Sequence, residues 1–171
     1  MTDPSLSSAP VAKVPELSIV APMYNEEGNI EAFVVAVEKV VAAIGVPFEI
    51  ILVDDGSSDG TWSQIVAQSK QHPVLRGARL ARNFGHQGAL MAGLSEARGR
   101  AIVSMDGDLQ HPPELIPELF ARWREGYKVV TTERADAEDT SLFKRTTSRW
   151  FYGLFSKLTG VAMAPATRTS A

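Results

Sequence analysis

The 171-residue chain contains no cysteine. A disulfide framework, a thiolate metal site and a cysteine nucleophile are therefore excluded. Histidine is scarce as well. His72, His86 and His111 are far apart and lack the spacing of a helical zinc motif. No apolar run approaches the ~18 residues that span a bilayer; the longest, Phe33 to Ile44, is broken by Glu38 and Lys39. The opening "MTDPSLSSAPVAKVP" lacks a basic start followed by an apolar core, so residues 1–15 read as a disordered tail rather than a secretory signal. Neither GxxxxGK[ST] nor a strand-linked GxGxxG occurs, which removes the P-loop and dinucleotide readings. There is no internal repeat. Acidic residues are absent beyond Asp139. Residues 1–139 carry all 20 acidic and 12 of the 17 basic side chains, a net charge of −8, and residues 140–171 carry five bases and no acid, a net +5. That asymmetry implies either an anionic partner for the C-terminal part or a basic face that balances the acidic body.

What remains is an ordinary globular composition, 44% hydrophobic and 22% charged. Its length suits one domain with a sizeable core. Two kinds of apolar pattern alternate. Short β-branched runs, "LSIVA" (17–21), "FEIILV" (48–53), "RLA" after Gly77, "AIVSM" (101–105) and "KVVTT" (128–132), predict buried parallel strands. Between them lie helical spacings. Ile30, Phe33, Val34, Val37 and Val41 recur every three or four residues and stop before Gly45 and Pro47. Trp62, Ile65 and Val66 open a second helix that Ser57, Ser58 or Asp59 can cap. "GALMAGLSEA" gives a third and "PPELIPELFARW" a fourth, with proline in its first turn. Strand and helix in strict alternation predict an α/β fold, an open, mostly parallel sheet with helices on both faces. A loop, "ERADAEDTS", then leads to a last amphipathic helix over residues 142–158.

Ligands of such sheets bind beyond the carboxyl ends of the strands. Those ends are crowded with acids and amides: Pro22, Tyr24, Asn25, Glu26 and Glu27 after the first strand, Asp54 and Asp55 after the second, Asp106, Asp108 and Gln110 after the fourth, Glu133 and Arg134 after the fifth. Asp106 and Asp108 flank Gly107. In extended backbone, residues two apart point the same way. Two such carboxylates make a hard-oxygen site for Mg2+ or Mn2+ with positions left for phosphate oxygens; a solvated turn is the alternative. Asp54 suits either a base or ribose contact or a cap for the helix that follows. "GSSDG" (56–60) formally matches a hydrolase nucleophile elbow, but neither His86 nor His111 stands in a triad context. An aspartyl-phosphate nucleophile also uses Asp-x-Asp, normally on the first strand of its sheet rather than the fourth.

Four segments in order, "SIVAPMYNEEGNI", "EIILVDDGSSDGT", "LARNFGHQGALMAGL" and "MDGDLQHPPELIPEL", resemble family 2 glycosyltransferases of the GT-A fold, a Rossmann-like nucleotide-sugar-binding fold. They are most similar to the polyprenyl-phosphate branch, which includes dolichol-phosphate mannose synthases and bactoprenol-phosphate glucosyltransferases. The resemblance covers residues 16–160, read as the N-terminal part of the catalytic domain, and leaves 161–171 as an unstructured tail. It implies a UDP- or GDP-sugar donor, a divalent metal, Mg2+ or Mn2+, inverting transfer to a polyprenyl phosphate, and no nucleic-acid partner. It places Pro22, Tyr24, Asn25 and Glu26 along the nucleotide, Asp54 on the base, Asp106, Asp108 and Gln110 at the metal and diphosphate, and Arg134 on phosphate. Two departures stand out. Gly107 replaces the usual alanine, and after "KLTG" the chain reads "VAMAPATRTSA" in place of the family's continuation. The second departure predicts a truncated chain, and with it an alternative to catalysis: a nucleotide-sugar-binding remnant without transferase activity. In the helix over 142–158, Lys144, Arg145, Arg149 and Lys157 suit either a solvated face or a surface that rests on anionic lipid, with Arg145 toward the acceptor phosphate. A cytoplasmic protein, or one peripheral at the cytoplasmic face of the plasma membrane, is expected.

Overall fold

The computed structural model describes residues 14–108 and 112–132. Those up to Val130 belong to one unit. Strand β1 (Leu17–Met23) is followed by α1 (Ile30–Ala42), β2 (Phe48–Asp54), α2 (Thr61–Gln71), β3 (Leu75–Arg79), α3 (His86–Glu96) and β4 (Ala101–Ser104). A 3-10 turn at Pro113–Leu115 then runs into α4 (Ile116–Arg124). The four strands are parallel in the order β3-β2-β1-β4. This is the open α/β sheet that the alternating pattern predicts.

Both faces of β1 are covered, as a continuous apolar run requires. Leu17, Ile19, Ala21 and Met23 pack with Ile50 and Leu52 against Ile30, Phe33, Val34, Val37 and Val41 of α1, Ile65 of α2, and Ile116 and Phe120 of α4. On the opposite face Val20, Ile51 and Val53 meet Ala89 of α3. Gly93 sets the depth of that second contact. A Cβ there would strike Val20 Cγ1 and come 3.0 Å from Val53 Cγ2, so α3 lies close on β1 and β2 because residue 93 has no side chain.

Three details differ from the sequence reading. Lys128–Thr132 is not a strand. Two adjacent valines favour extended backbone, but a strand needs a neighbour for its N–H and C=O groups. No described strand pairs with this run, and Val129 is 82% exposed. Strand β3 starts four residues earlier than the expected "RLA" run, at Leu75, because Leu75 pairs with Ile50, and it ends at Arg79. Helix α2 begins after Gly60 rather than after a side-chain cap on the preceding residue, although Asp59 Oδ1 does accept the Thr61 N–H at 3.0 Å. The helix expected over 142–158 lies outside the described residues.

One buried charge braces the N-terminal end of the sheet. Glu49 sits inside β2 and is 7% exposed. Its Oε1 accepts the Ser18 hydroxyl at 2.7 Å and the Arg98 N–H at 2.8 Å, and its Oε2 accepts Arg76 Nη1 at 2.9 Å. Burial pushes its carboxyl pKa up, but the Arg98 amide, the Ser18 hydroxyl and the Arg76 guanidinium outweigh burial and hold it below the ordinary value. A depressed folded pKa adds stability that is present above the ordinary glutamate range, about 4.3, and is lost as pH falls through the folded value. Glu49→Gln is therefore expected to cost about 2 kcal/mol at neutral pH. It should also flatten the fall of melting temperature below about pH 4.5. Thermal melts of both proteins across pH 3–7 check this; parallel curves would contradict it.

Candidate active site

Parallel strands bring their carboxyl ends to one rim. Met23, Asp54 and Arg79 share a rung there. Strand β4 stops earlier, pairing Ser104 with Val20, and the Met105 N–H then bonds the Val20 carbonyl at 3.1 Å. The turn that follows, Asp106-Gly107-Asp108, consequently lies beside the last residues of β1. Gly107 is buried, and a Cβ on it would strike Met23 Sδ and lie 3.3 Å from the Pro22 carbonyl oxygen. The structure thus seats the Asp106–Asp108 turn against Pro22 and Met23 at the carboxyl end of β1. Tyr24 is 47% exposed on the same rim.

The first two loops interlock. Asn25 adopts φ +55°, a left-handed conformation that asparagine tolerates better than most residues. Its Oδ1 accepts the Ser58 N–H at 3.0 Å, and its own N–H donates to Ser57 Oγ at 3.0 Å. The Glu26 N–H donates to Thr61 Oγ1 at 2.8 Å, and Glu27 Oε2 accepts the Gly60 N–H at 2.7 Å. Asn25 and Glu26 therefore hold the β2–α2 loop as well as lining the rim. Asp59 belongs to this clasp. Desolvation pushes its carboxyl pKa up, but the Thr61 hydroxyl and N–H and the Glu27 N–H together outweigh it and lower the pKa.

The two acids at the end of β2 have separate jobs. Asp54 is fully buried, and its Oδ1 accepts the Ser57 N–H at 2.9 Å. Its Oδ2 faces Arg79 Nε at 3.1 Å but off the hydrogen-bond direction, so charge alone holds that oxygen. Arg79 also lies over the Trp62 ring, 5.9 Å from its centroid. Asp55 reaches the next loop, where its Oδ1 accepts the Phe84 N–H at 2.8 Å. That loop presses on Gly56, whose added Cβ would lie 2.5 Å from the Arg82 carbonyl carbon. Asp54 thus shapes the turn, and the helix contact falls to Asp59. Its expected contact with a base is tested by Asp54→Ala. The loss of a charged acceptor for Ser57 should cost about 2 kcal/mol of stability. A nucleotide affinity that also falls supports the base contact; one that stays constant limits Asp54 to the turn.

The sequence gives His86 no triad context. The structure puts it on the rim, with Nε2 3.7 Å from Asp106 Oδ1 and both side chains about half exposed. The signal that could have found it is positional: it opens the helix after the third strand, where strand-end ligands sit. Gln110, Arg134 and Arg145 lie outside the described residues.

Among the described residues no three His, Asp or Glu side chains gather into a metal-holding group. Asp106 and Asp108 supply two hard oxygen donors on an exposed turn. That set fits Mg2+ or Mn2+, which keep most of their coordination for water and substrate phosphates.

A sequence model of glycosyl transferase family 2 matches residues 18–168. The chain belongs to that family. This family 2 chain is 40% identical over 152 residues to an uncharacterized glycosyltransferase of Synechocystis sp., covering 89% of this chain and 48% of that one. It is 39% identical over 152 residues to the undecaprenyl-phosphate 4-deoxy-4-formamido-L-arabinose transferase of Yersinia enterocolitica, covering 88% and 46%. The chain spans about half the length of the curated relatives it matches. Its fold is that of S. aureus TarS, residues 1–349, solved in complex with UDP-GlcNAc: TM-score 0.55 at 23% identity, over 75% of this chain and 38% of that one. No helix among the described residues is long and apolar enough to cross a membrane.

Proposed function

We propose that this chain is the nucleotide-sugar-binding part of a glycosyltransferase that moves a sugar from a UDP- or GDP-sugar to a polyprenyl phosphate. The observation that carries the reading is the Asp106-Gly107-Asp108 turn seated against Pro22 and Met23 at the carboxyl rim of a parallel sheet. In this reading residues 16–160 form the family 2 domain. Pro22, Tyr24, Asn25 and Glu26 line the nucleotide, and Asp54 supports its base end. Asp106 and Asp108, with Gln110, hold a divalent metal at the diphosphate, and Arg134 adds positive charge. The name of the Yersinia relative supports a lipid-phosphate acceptor.

The reaction follows from charge. One oxygen of the lipid phosphate bonds to the anomeric carbon as the bond from that carbon to the nucleoside diphosphate breaks, which inverts the centre. A bound divalent ion supplies Lewis-acid stabilisation of the negative charge that grows on the leaving diphosphate. The chain's own residues orient the donor so that this bond faces the acceptor, and orientation alone accounts for up to ~7–11 kcal/mol of a barrier. A phosphate monoester has its second pKa near 6, so the acceptor is largely dianionic at neutral pH and needs little help from a base. In this reading the basic residues of the segment 142–158, Arg145 among them, supply charge for the acceptor phosphate and for anionic lipid at the cytoplasmic side of the membrane.

A second reading is that the chain, which spans about half the length of the curated relatives it matches, binds the nucleotide sugar without transferring it. Incubation with labelled UDP- and GDP-sugars, Mn2+ and polyprenyl phosphate separates the two. Label in the lipid phase supports transfer. Donor binding without labelled lipid supports the second reading, and absence of donor binding overturns both.

A further inference from the structure

We propose that His86 is a positioning residue for the Asp106 carboxylate: it donates from Nε2 to one carboxylate oxygen and so aims the other at the divalent ion of the donor diphosphate. The inference rests on the metal-diphosphate reading above and goes beyond it by adding a side chain from a different element.

The two groups meet because rigid parts deliver them. Val20 of β1 anchors both. Its side chain lies under Gly93, which fixes α3, and its carbonyl takes the Met105 N–H, which fixes the residue before Asp106. The start of α3 is pinned as well. Asp55 Oδ1 holds the Phe84 N–H at 2.8 Å, Asn83 Oδ1 accepts the Gly85 N–H at 2.8 Å, and the Gly85 carbonyl accepts the Ala89 N–H at 3.1 Å. His86 is the first residue of α3. Its ring faces Asp106 Oδ1 at 3.7 Å with both side chains open to solvent. That separation exceeds a hydrogen bond, and site contacts commonly tighten when the ligand arrives. Among the described residues His86, Asp106 and Asp108 are not gathered into a three-residue metal group, and the proposal places His86 on the carboxylate rather than on the ion. Carboxylates that bind metals are characteristically held by such outer partners, whose loss weakens metal affinity or activity about 10–100-fold.

The test is Mn2+ binding by the full chain, read from the electron paramagnetic resonance of free Mn2+ with UDP or GDP present. His86→Ala is expected to weaken Mn2+ binding about 10–100-fold and to leave metal-free nucleotide affinity unchanged. His86→Gln keeps an N–H donor at a similar reach and is expected to recover most of the loss. Asp108→Ala runs beside them. If Asp108→Ala loses Mn2+ while His86→Ala binds it as wild type does, the role of His86 is overturned and the metal site stands. If His86→Gln is as weak as His86→Ala, donation to Asp106 is overturned. If the wild-type chain binds no Mn2+ with either nucleotide, the metal reading falls and takes this inference with it.

Discussion

Gly56→Ala is expected to lower the melting temperature by roughly 4–20 °C. Two costs add. Gly56 has φ +68°, where a Cβ costs about 1–2 kcal/mol. The new methyl would also lie 2.5 Å from the Arg82 carbonyl carbon and 2.7 Å from the Asn83 nitrogen. These are backbone atoms and cannot swing aside as a side-chain tip does, so the β3–α3 loop must shift, at about 1–3 kcal/mol. The sum, about 2–5 kcal/mol, corresponds to that change in a chain of this size at ~2–4 °C per kcal/mol. The shift also draws Phe84 away from Asp55, so nucleotide affinity should fall with stability. Gly28→Ala is the control, since nothing lies within 4 Å of a Cβ there and its φ is not positive. Melts of the two variants check the argument. A Gly56→Ala protein that melts with wild type would contradict it.

The second large effect is on binding. Asp106→Ala and Asp108→Ala are each expected to abolish the metal-dependent part of nucleotide affinity, a loss on the order of 100-fold, the upper end of what outer partners alone achieve. Neither residue lies in the hydrophobic core, so melting temperatures should stay within a few degrees of wild type. Binding isotherms with and without Mn2+ separate this from simple unfolding. A variant that retains the full metal response would remove its aspartate from the site.

The core was legible because burial repeats. Each of Ile30, Phe33, Val34, Val37 and Val41 is buried, and the stripe that predicts α1 is the stripe it packs. The rim was legible for a related reason: parallel strands send all their carboxyl ends one way, so Tyr24, Asp54 and Asp106 had to fall at one edge of the sheet. What sequence could not show was which partner each polar group takes. Glu49 reads as one odd letter in an apolar strand, and its partners come from Ser18, Arg76 and Arg98 on three other segments. Asp54 and Asp55 are adjacent and chemically alike, yet one holds its own turn and the other the next loop. His86 and Asp106 are 20 positions apart, and their approach depends on how deeply Gly93 lets α3 settle on Val20. The run 128–132 shows the converse. Composition sets a preference for extended backbone, but only a neighbour makes it a strand.

We propose that the rim formed by Pro22–Glu26, Asp54 and Asp106–Asp108 binds a nucleoside diphosphate through a divalent ion. Isothermal titration of the wild-type chain with UDP and with GDP, each with and without Mn2+, tests it most directly. One nucleotide is expected to bind at least about tenfold more tightly when Mn2+ is present, a difference of ~1.4 kcal/mol. Equal affinity with and without the metal, or no binding of either nucleotide, would contradict it.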